Sequence, residues 1–191
     1  MDNYNDGNAT ATMDVVKTVS ISNNKNYAVY YGNTVKYKVR ITDANGKAVV
    51  GENVTFKING KTKTVASDND GYASYSVKLA TGKYTITAQC GNVKKSNTIT
   101  FKPTLIAKNI SKKKAKTTKF TVKLVNKNGK ILKNKRISFK VKNKKYTAKT
   151  NNKGIATLSL KNLKVGKYTI TSSYGGCTIS NKITIKKKTS Q

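Results

Sequence analysis

The chain has 191 residues, with 39 Lys or Arg against 7 Asp or Glu, no His, and a formal net charge of +32. Without histidine neither a Ser-His-Asp nor a Cys-His nucleophilic arrangement can be built, and the commonest zinc ligand is missing, so the sequence reads as non-enzymatic with no cofactor. No apolar run of about 18 residues occurs, which excludes a membrane-spanning helix.

The first thirteen residues, MDNYNDGNATATM, are polar and read as a flexible leader (1–13), and no basic, apolar signal segment opens the chain. Val15, Val16, Val19 and Ile21 then suggest a first strand, followed by an Asn-rich turn from Ser22 to Asn26. Val35, Tyr37, Val39 and Ile41 alternate with Lys36, Lys38 and Arg40, the period of a half-buried strand. Asp43-Ala44-Asn45-Gly46 closes it with a hairpin signal, because Asn and Gly both tolerate positive φ. Val54, Phe56 and Ile58 form the next strand, with a turn at Asn59-Gly60, a short strand around Thr62 to Ala66 and another turn at Asp68-Asn69-Asp70-Gly71. Tyr75, Val77 and Leu79 lead to Gly82, after which Tyr84, Ile86, Ala88 and Cys90 face inward, and Ile99 and Phe101 end the unit.

The hexapeptide GKYTIT at Gly82–Thr87 recurs at Gly166–Thr171. Aligning on it maps Tyr37, Val39 and Ile41 onto Phe120, Val122 and Leu124, and Val54, Phe56 and Ile58 onto Ile137, Phe139 and Val141. Gly71 and Ala73 become Gly154 and Ala156. Inward positions are kept while outward ones drift toward Lys, as packing holds a core and leaves a surface free. The repeat predicts two modules, 14–102 and 103–185, with a short linker at Pro103 that limits bending, and a basic tail over 186–191. Each module, with seven or so short strands, reads as an antiparallel β-sandwich. The L-x-x-G-x-Y phrases ending at Tyr84 and Tyr168 fit a tyrosine corner, in which the hydroxyl bonds back to nearby backbone.

The run NGKAVVGENVTFKINGKTKTVASDNDGYASYSVKLATGKYTITA and its second copy, NKNGKILKNKRISFKV with NNKGIATLSL and VGKYTITSSYGG, resemble bacterial immunoglobulin-like repeats of the invasin and intimin type. They resemble still more the repeats of adhesin-like surface proteins of methanogenic archaea. The likeness implies two tandem immunoglobulin-like sandwiches from a cell-surface stalk or adhesion segment, with further repeats of the same protein as neighbours. It names no receptor.

Residues 1–104 carry 14 basic and 7 acidic residues, whereas residues 105–191 carry 25 basic and none acidic. Three lysine groups are therefore the candidate polyanion-binding residues: Lys112, Lys113, Lys114 and Lys116 in a turn, Lys142, Lys144 and Lys145 across a hairpin, and Lys186, Lys187 and Lys188 at the end. They could be a solvated face that keeps strand edges from aggregating, since Lys on edges blocks sheet-to-sheet pairing. They could equally attract an anionic cell-wall polysaccharide or acidic glycan. A nucleic-acid partner is the competing reading, disfavoured because only Arg40 and Arg136 are available for bidentate contacts and no recognition helix is present. Asp68-Asn69-Asp70-Gly71 looks like a calcium loop but reads as a plain turn, its counterpart Asn151-Asn152-Lys153-Gly154 having no carboxylate. Tyr27, Tyr30 and Tyr31 form an aromatic cluster without a counterpart, which could be a sugar-stacking platform but reads rather as Tyr30 in the core and the others covering an edge. Cys90 aligns with Tyr174 and Cys177 with Val93, which predicts two semi-buried thiols in different modules with no bridge between them, an intermolecular bridge being the alternative.

Overall fold

The computed structural model describes Gly7 and residues 17–190, so Val15, Val16 and nearly all of the polar leader lie outside the described residues. Residues 17–102 supply strands β1 (Ser20–Ser22), β2 (Tyr27–Tyr30), β3 (Val35–Thr42), β4 (Asn53–Ile58), β5 (Lys61–Ala66), β6 (Tyr72–Val77), β7 (Gly82–Cys90) and β8 (Val93–Lys102). A three-stranded sheet, β1-β3-β6, faces a five-stranded one, β2-β8-β7-β4-β5. The second copy repeats this with β9 (Leu105–Ile106), β10 (Ile110–Lys113), β11 (Thr117–Leu124), β12 (Arg136–Val141), β13 (Lys144–Lys149), β14 (Ile155–Lys161), β15 (Gly166–Tyr174) and β16 (Cys177–Lys186), ordered β9-β11-β14 and β10-β16-β15-β12-β13. The protein is all-β, two tandem immunoglobulin-like sandwiches.

Each sandwich encloses its own core. The alternation of β3 buries Val35, Tyr37, Val39 and Ile41, and that of β11 buries Phe120, Val122 and Leu124. At the centre of each core one aromatic from either sheet meets the other edge to face, Tyr37 with Phe56 at 6.0 Å and Phe120 with Phe139 at 6.4 Å. Such pairs contribute about 0.5–1.5 kcal/mol beyond the area they bury. Tyr84 donates its hydroxyl to the Ala80 carbonyl at 2.8 Å and Tyr168 to that of Lys164 at 2.7 Å, the corner that L-x-x-G-x-Y announces. Both cysteines are buried and free, with Cys90 opposite Val93 and Cys177 opposite Tyr174.

Two local expectations are corrected. The turn expected at Asp43–Gly46 forms, but it does not join β3 to β4 in a hairpin, because those strands belong to different sheets and share no ladder. Only the single bridge Thr42↔Ala48 forms before the chain crosses over. Asp43 Oδ1 accepts the backbone N–H groups of Asn45 and Lys47 at 2.9 Å, holding a tight loop in which Gly46, with φ +79°, takes the left-handed position. Two-residue turns with both φ positive lie at Asn59-Gly60, Lys142-Asn143 and Gly175-Gly176. The second correction concerns β2 and β10, which the sequence reading passes over. They pair in parallel with β8 and β16, whereas every other ladder is antiparallel. Each is four residues long and sits on a sheet edge, too short to show a period of its own.

The Asp68 turn also resolves. Asp68 Oδ1 accepts the N–H groups of Asp70 and Tyr72, and Asn151 Oδ1 does the same for Lys153 and Ile155. The carboxylate and the uncharged amide perform one task, capping the turn with an oxygen acceptor.

The repeats differ in how their buried polar atoms are satisfied. Asn97 Oδ1 accepts from Tyr37 Oη at 2.5 Å and from Asn24 Nδ2 at 2.9 Å. In the second module Phe120 replaces the tyrosine, and the matching Asn181 Oδ1 is buried with no partner. Burial, helped by nearby Tyr27, pushes the Tyr37 hydroxyl from 10.0 up to about 12. A phenol whose folded pKa is raised contributes stability in full below the unfolded pKa, and that contribution drains away as pH rises from about 10 through about 12. Denaturant midpoints of the wild type should therefore fall across that window, and Tyr37→Phe, the residue the second module carries, should flatten the fall. Equal slopes in the two proteins would contradict this account.

Ser172 is a further mismatch, fully buried in β15 with its Oγ unpartnered, where β7 carries Ala88. Relief of an unsatisfied buried hydroxyl gives an expected gain of about 1 kcal/mol for Ser172→Ala. Urea unfolding measures it, and a loss of stability would show that the hydroxyl has a partner in solution.

Candidate polyanion-binding site

The ten lysines singled out from the sequence are all exposed; seven of them are joined in one cluster at an end of the second module and three lie on the opposite edge of its larger sheet. Parallel pairing sets Lys112 beside Ile185 and Lys113 beside Lys186. The Lys114 N–H donates to the Lys186 carbonyl at 2.9 Å, and Lys113 Nζ donates to Thr189 Oγ1 at 2.8 Å. The first and third groups are thus one cluster, joined by backbone. Lys112 and Lys113 belong to strand β10, a correction to their expected place in a turn; the turn begins at Lys114 and contains Lys116.

The remaining group lies on the opposite edge of the five-stranded sheet. Lys142 and Asn143, with φ of 48° and 62°, form the turn joining β12 to β13, and Lys144 and Lys145 start β13 opposite Val141 and Lys140. Val141 pairs with Ile170 and Ile170 with Asn181, whereas Lys113 lies opposite Lys186, five positions further along β16, so the turn stops short of the β10 cluster. Four strand spacings of about 4.8 Å separate the edges, roughly 19 Å. Lys142 Nζ lies 4.7 Å from the centre of the Tyr168 ring, and an open hollow of about 460 Å³ runs between Lys140, Lys142, Lys167 and Tyr168.

Lys140, Lys164 and Lys167 are further exposed lysines of this module that the sequence reading did not single out. Their signal was available, because the repeat register places Lys140 opposite Lys57 and Lys167 opposite Lys83, both outward. Residues 105–191 contain no carboxylate to neutralise any of these charges. Charges of one sign on a surface sum into a field that salt screens.

The opposite end of the second module abuts the first. Asn33 donates Nδ2 to the Lys127 carbonyl at 2.7 Å. Tyr30 Cε2 lies 2.9 Å from where a Cβ on Gly129 would sit, and Tyr31 Oη 2.6 Å from where one on Gly176 would sit. Tyr27 and Val29 pack on the first core, whereas Tyr30 and Tyr31 reach across to these glycines, so Tyr30 is not the core residue expected. The register Tyr30↔Lys102 and Lys113↔Lys186 makes Lys113 the repeat equivalent of Tyr30, and hence Lys114 of Tyr31 and Lys116 of Asn33. The lysine end therefore occupies the position that, one module earlier, receives a neighbour.

Residues 104–187 match the family model for a bacterial Ig-like domain (group 1). Among solved structures, the I9–I11 tandem of titin aligns at 15% identity and a TM-score of 0.42 over 90% of this chain and 67% of that one. Invasin, a bacterial integrin-binding protein, aligns at 17% identity and a TM-score of 0.39 over 90% of this chain and 39% of its own. The D0–D1 domains of intimin align at 17% identity and a TM-score of 0.36 over 88% of this chain and 97% of that one. The chain thus spans well under half of the invasin chain it aligns with. No curated protein matched the sequence.

Proposed function

We propose that this chain is a non-enzymatic segment of a cell-surface stalk or adhesin, of the kind found in bacterial and archaeal envelopes. The modules 14–102 and 103–185 serve as successive spacers, and the second binds anionic envelope or host polymers such as a cell-wall polysaccharide or acidic glycan. The observation that supports the reading is the joining of Lys112–Lys114 and Lys116 with Lys186–Lys188 by the β10–β16 pairing, with Lys142, Lys144 and Lys145 on the opposite sheet edge, in a module that has no acidic residue. The match of residues 104–187 to a bacterial Ig-like domain supports the surface setting.

The chemistry favours a flexible polyanion over nucleic acid. Lysine heads on a β-edge offer hydrated point charges with little geometry, and the described residues form no helix to enter a groove. The test is retention of the full chain on immobilised polyuronate across a salt series, with duplex and single-stranded DNA as competitors at matched salt. Release that follows rising salt, with DNA competing no better than soluble polyuronate, is the expected result. Salt-independent retention, or preferential displacement by DNA, overturns it.

A further inference from the structure

We propose that the first module carries a separate binding site for an acidic saccharide, in an open hollow of about 470 Å³ lined by Asn23, Asn24, Lys25, Tyr27, Lys38 and Tyr72. The hollow forms where the chain leaves β1 after Ser22 and crosses to the other sheet, entering β2 at Tyr27. Lys38 and Arg40 stand on the outward face of β3, and Tyr72 on β6 is the register partner of Arg40.

Three features suit a uronic-acid unit. Tyrosine rings present flat apolar faces for the C–H side of a sugar, and a cation lies over one face of each ring. Lys38 Nζ is 4.0 Å and the Arg40 guanidinium carbon 5.7 Å from the Tyr72 centroid, while Lys25 Nζ is 5.1 Å from that of Tyr27. No carboxylate is among the lining residues to neutralise them. The amides are held in place: Asn23, itself left-handed at φ 59°, donates Nδ2 to Tyr72 Oη at 3.1 Å, and Asn24 donates Nδ2 to Asn97 Oδ1 at 2.9 Å. Each amide keeps an oxygen to accept a sugar hydroxyl, and Tyr72 keeps its own O–H to donate.

The repeat supplies an independent argument. Asn26 and Asn109 both accept the backbone N–H of the last strand, from Thr98 and from Lys182, so the crossing has the same frame in both modules. On that shared frame Asn24 becomes Ala107, Tyr27 becomes Ile110, Lys38 becomes Thr121 and Tyr72 becomes Ile155, while Lys25 and Arg40 keep their charge as Lys108 and Lys123. The fold therefore does not require the two aromatic rings, the Asn24 amide or the Lys38 cation that line the hollow. Their joint presence in one module is accounted for by a ligand of matching chemistry.

The site is independent of the lysine end of the second module, and the experiment separates them. The ¹⁵N-labelled full chain is titrated with a hexamer of galacturonate, with a neutral glucose hexamer and with sodium sulfate, while the side-chain amide signals of Asn23 and Asn24 are followed. Saturable shifts with the galacturonate hexamer are expected, with the neutral hexamer at least about tenfold weaker because a charge-assisted contact is lost. Tyr72→Ile, which installs the second module's residue, should abolish those shifts and leave backbone signals elsewhere in place. Absent shifts, shifts unchanged in Tyr72→Ile, or equal shifts with sulfate overturn the proposal. Shifts confined to residues 105–190 also overturn it, while leaving the polyanion reading of the second module standing.

Discussion

Gly71→Ala should lower the melting temperature of the first module by roughly 10–20 °C, a loss of about 3 kcal/mol for a domain of this size. The backbone there holds φ +82°, and an added Cβ would sit 2.5 Å from the Ile41 carbonyl oxygen and 3.2 Å from the Ala48 side chain. The obstacle is backbone, since Ile41 N–H donates to the Gly71 carbonyl at 2.7 Å and fixes the two chains against each other. Gly154 occupies the same place in the second module, with the Leu124 oxygen 3.1 Å and Ile131 Cβ 2.9 Å from the added atom. Gly46→Ala is the control, because its φ of +79° is as unfavourable but nothing lies within 4 Å of the added atom. It should cost only the conformational penalty of about 1 kcal/mol. Calorimetry of the variants decides the matter: a Gly71→Ala loss no larger than that of Gly46→Ala would remove close packing from the explanation.

Neutralising Lys112, Lys113, Lys114 and Lys116 together to Gln is expected to weaken binding to immobilised polyuronate by one to three orders of magnitude. A lysine close to an anionic surface contributes up to about 1 kcal/mol, and four give up to roughly 4 kcal/mol. Screening by solvent pulls the effect toward the lower figure. The plot of log affinity against log salt should also lose slope, by about 0.7 for each lysine removed. Replacing Lys57, Lys61, Lys63 and Lys94 of the first module in the same way should change retention far less. Equal losses from the two quadruple variants would mean that net charge alone governs binding.

The fold was legible where period and repetition coincide. The alternation at Val35–Ile41 and its copy at Phe120–Leu124 announce buried strands, and GKYTIT fixes the register between modules. The four-residue edge strands escape notice because they carry no period, and Ile110–Lys113 looks like a loop since three of its four residues are polar. The Asn45-Gly46 signal misleads because a turn motif encodes local backbone shape and says nothing of which sheet the chain enters next. The lysines of the site were visible as runs, but the joining of the first and last runs depends on the parallel pairing of β10 with β16, a contact between residues about 70 positions apart. The aromatic cluster illustrates the same limit. Tyr27 and Tyr30 are three residues apart, yet one packs on a core and the other meets a glycine of the neighbouring module.

The parallel pairing of β2 with β8 and of β10 with β16 has a mechanical meaning. Chain enters each module through β1 or β9, passes into the short strand and leaves at the end of the long one, so once the entry strand is freed a pull along the polypeptide drags the two parallel strands in opposite directions along their shared length. The bonds between Tyr27–Tyr30 and Ile99–Lys102, and between Ile110–Lys113 and Ile183–Lys186, are then loaded in shear and share the force. In a hairpin pulled open from its free ends the same bonds would break in succession, each bearing the load alone. Each module therefore resists stretching through its least conspicuous strand.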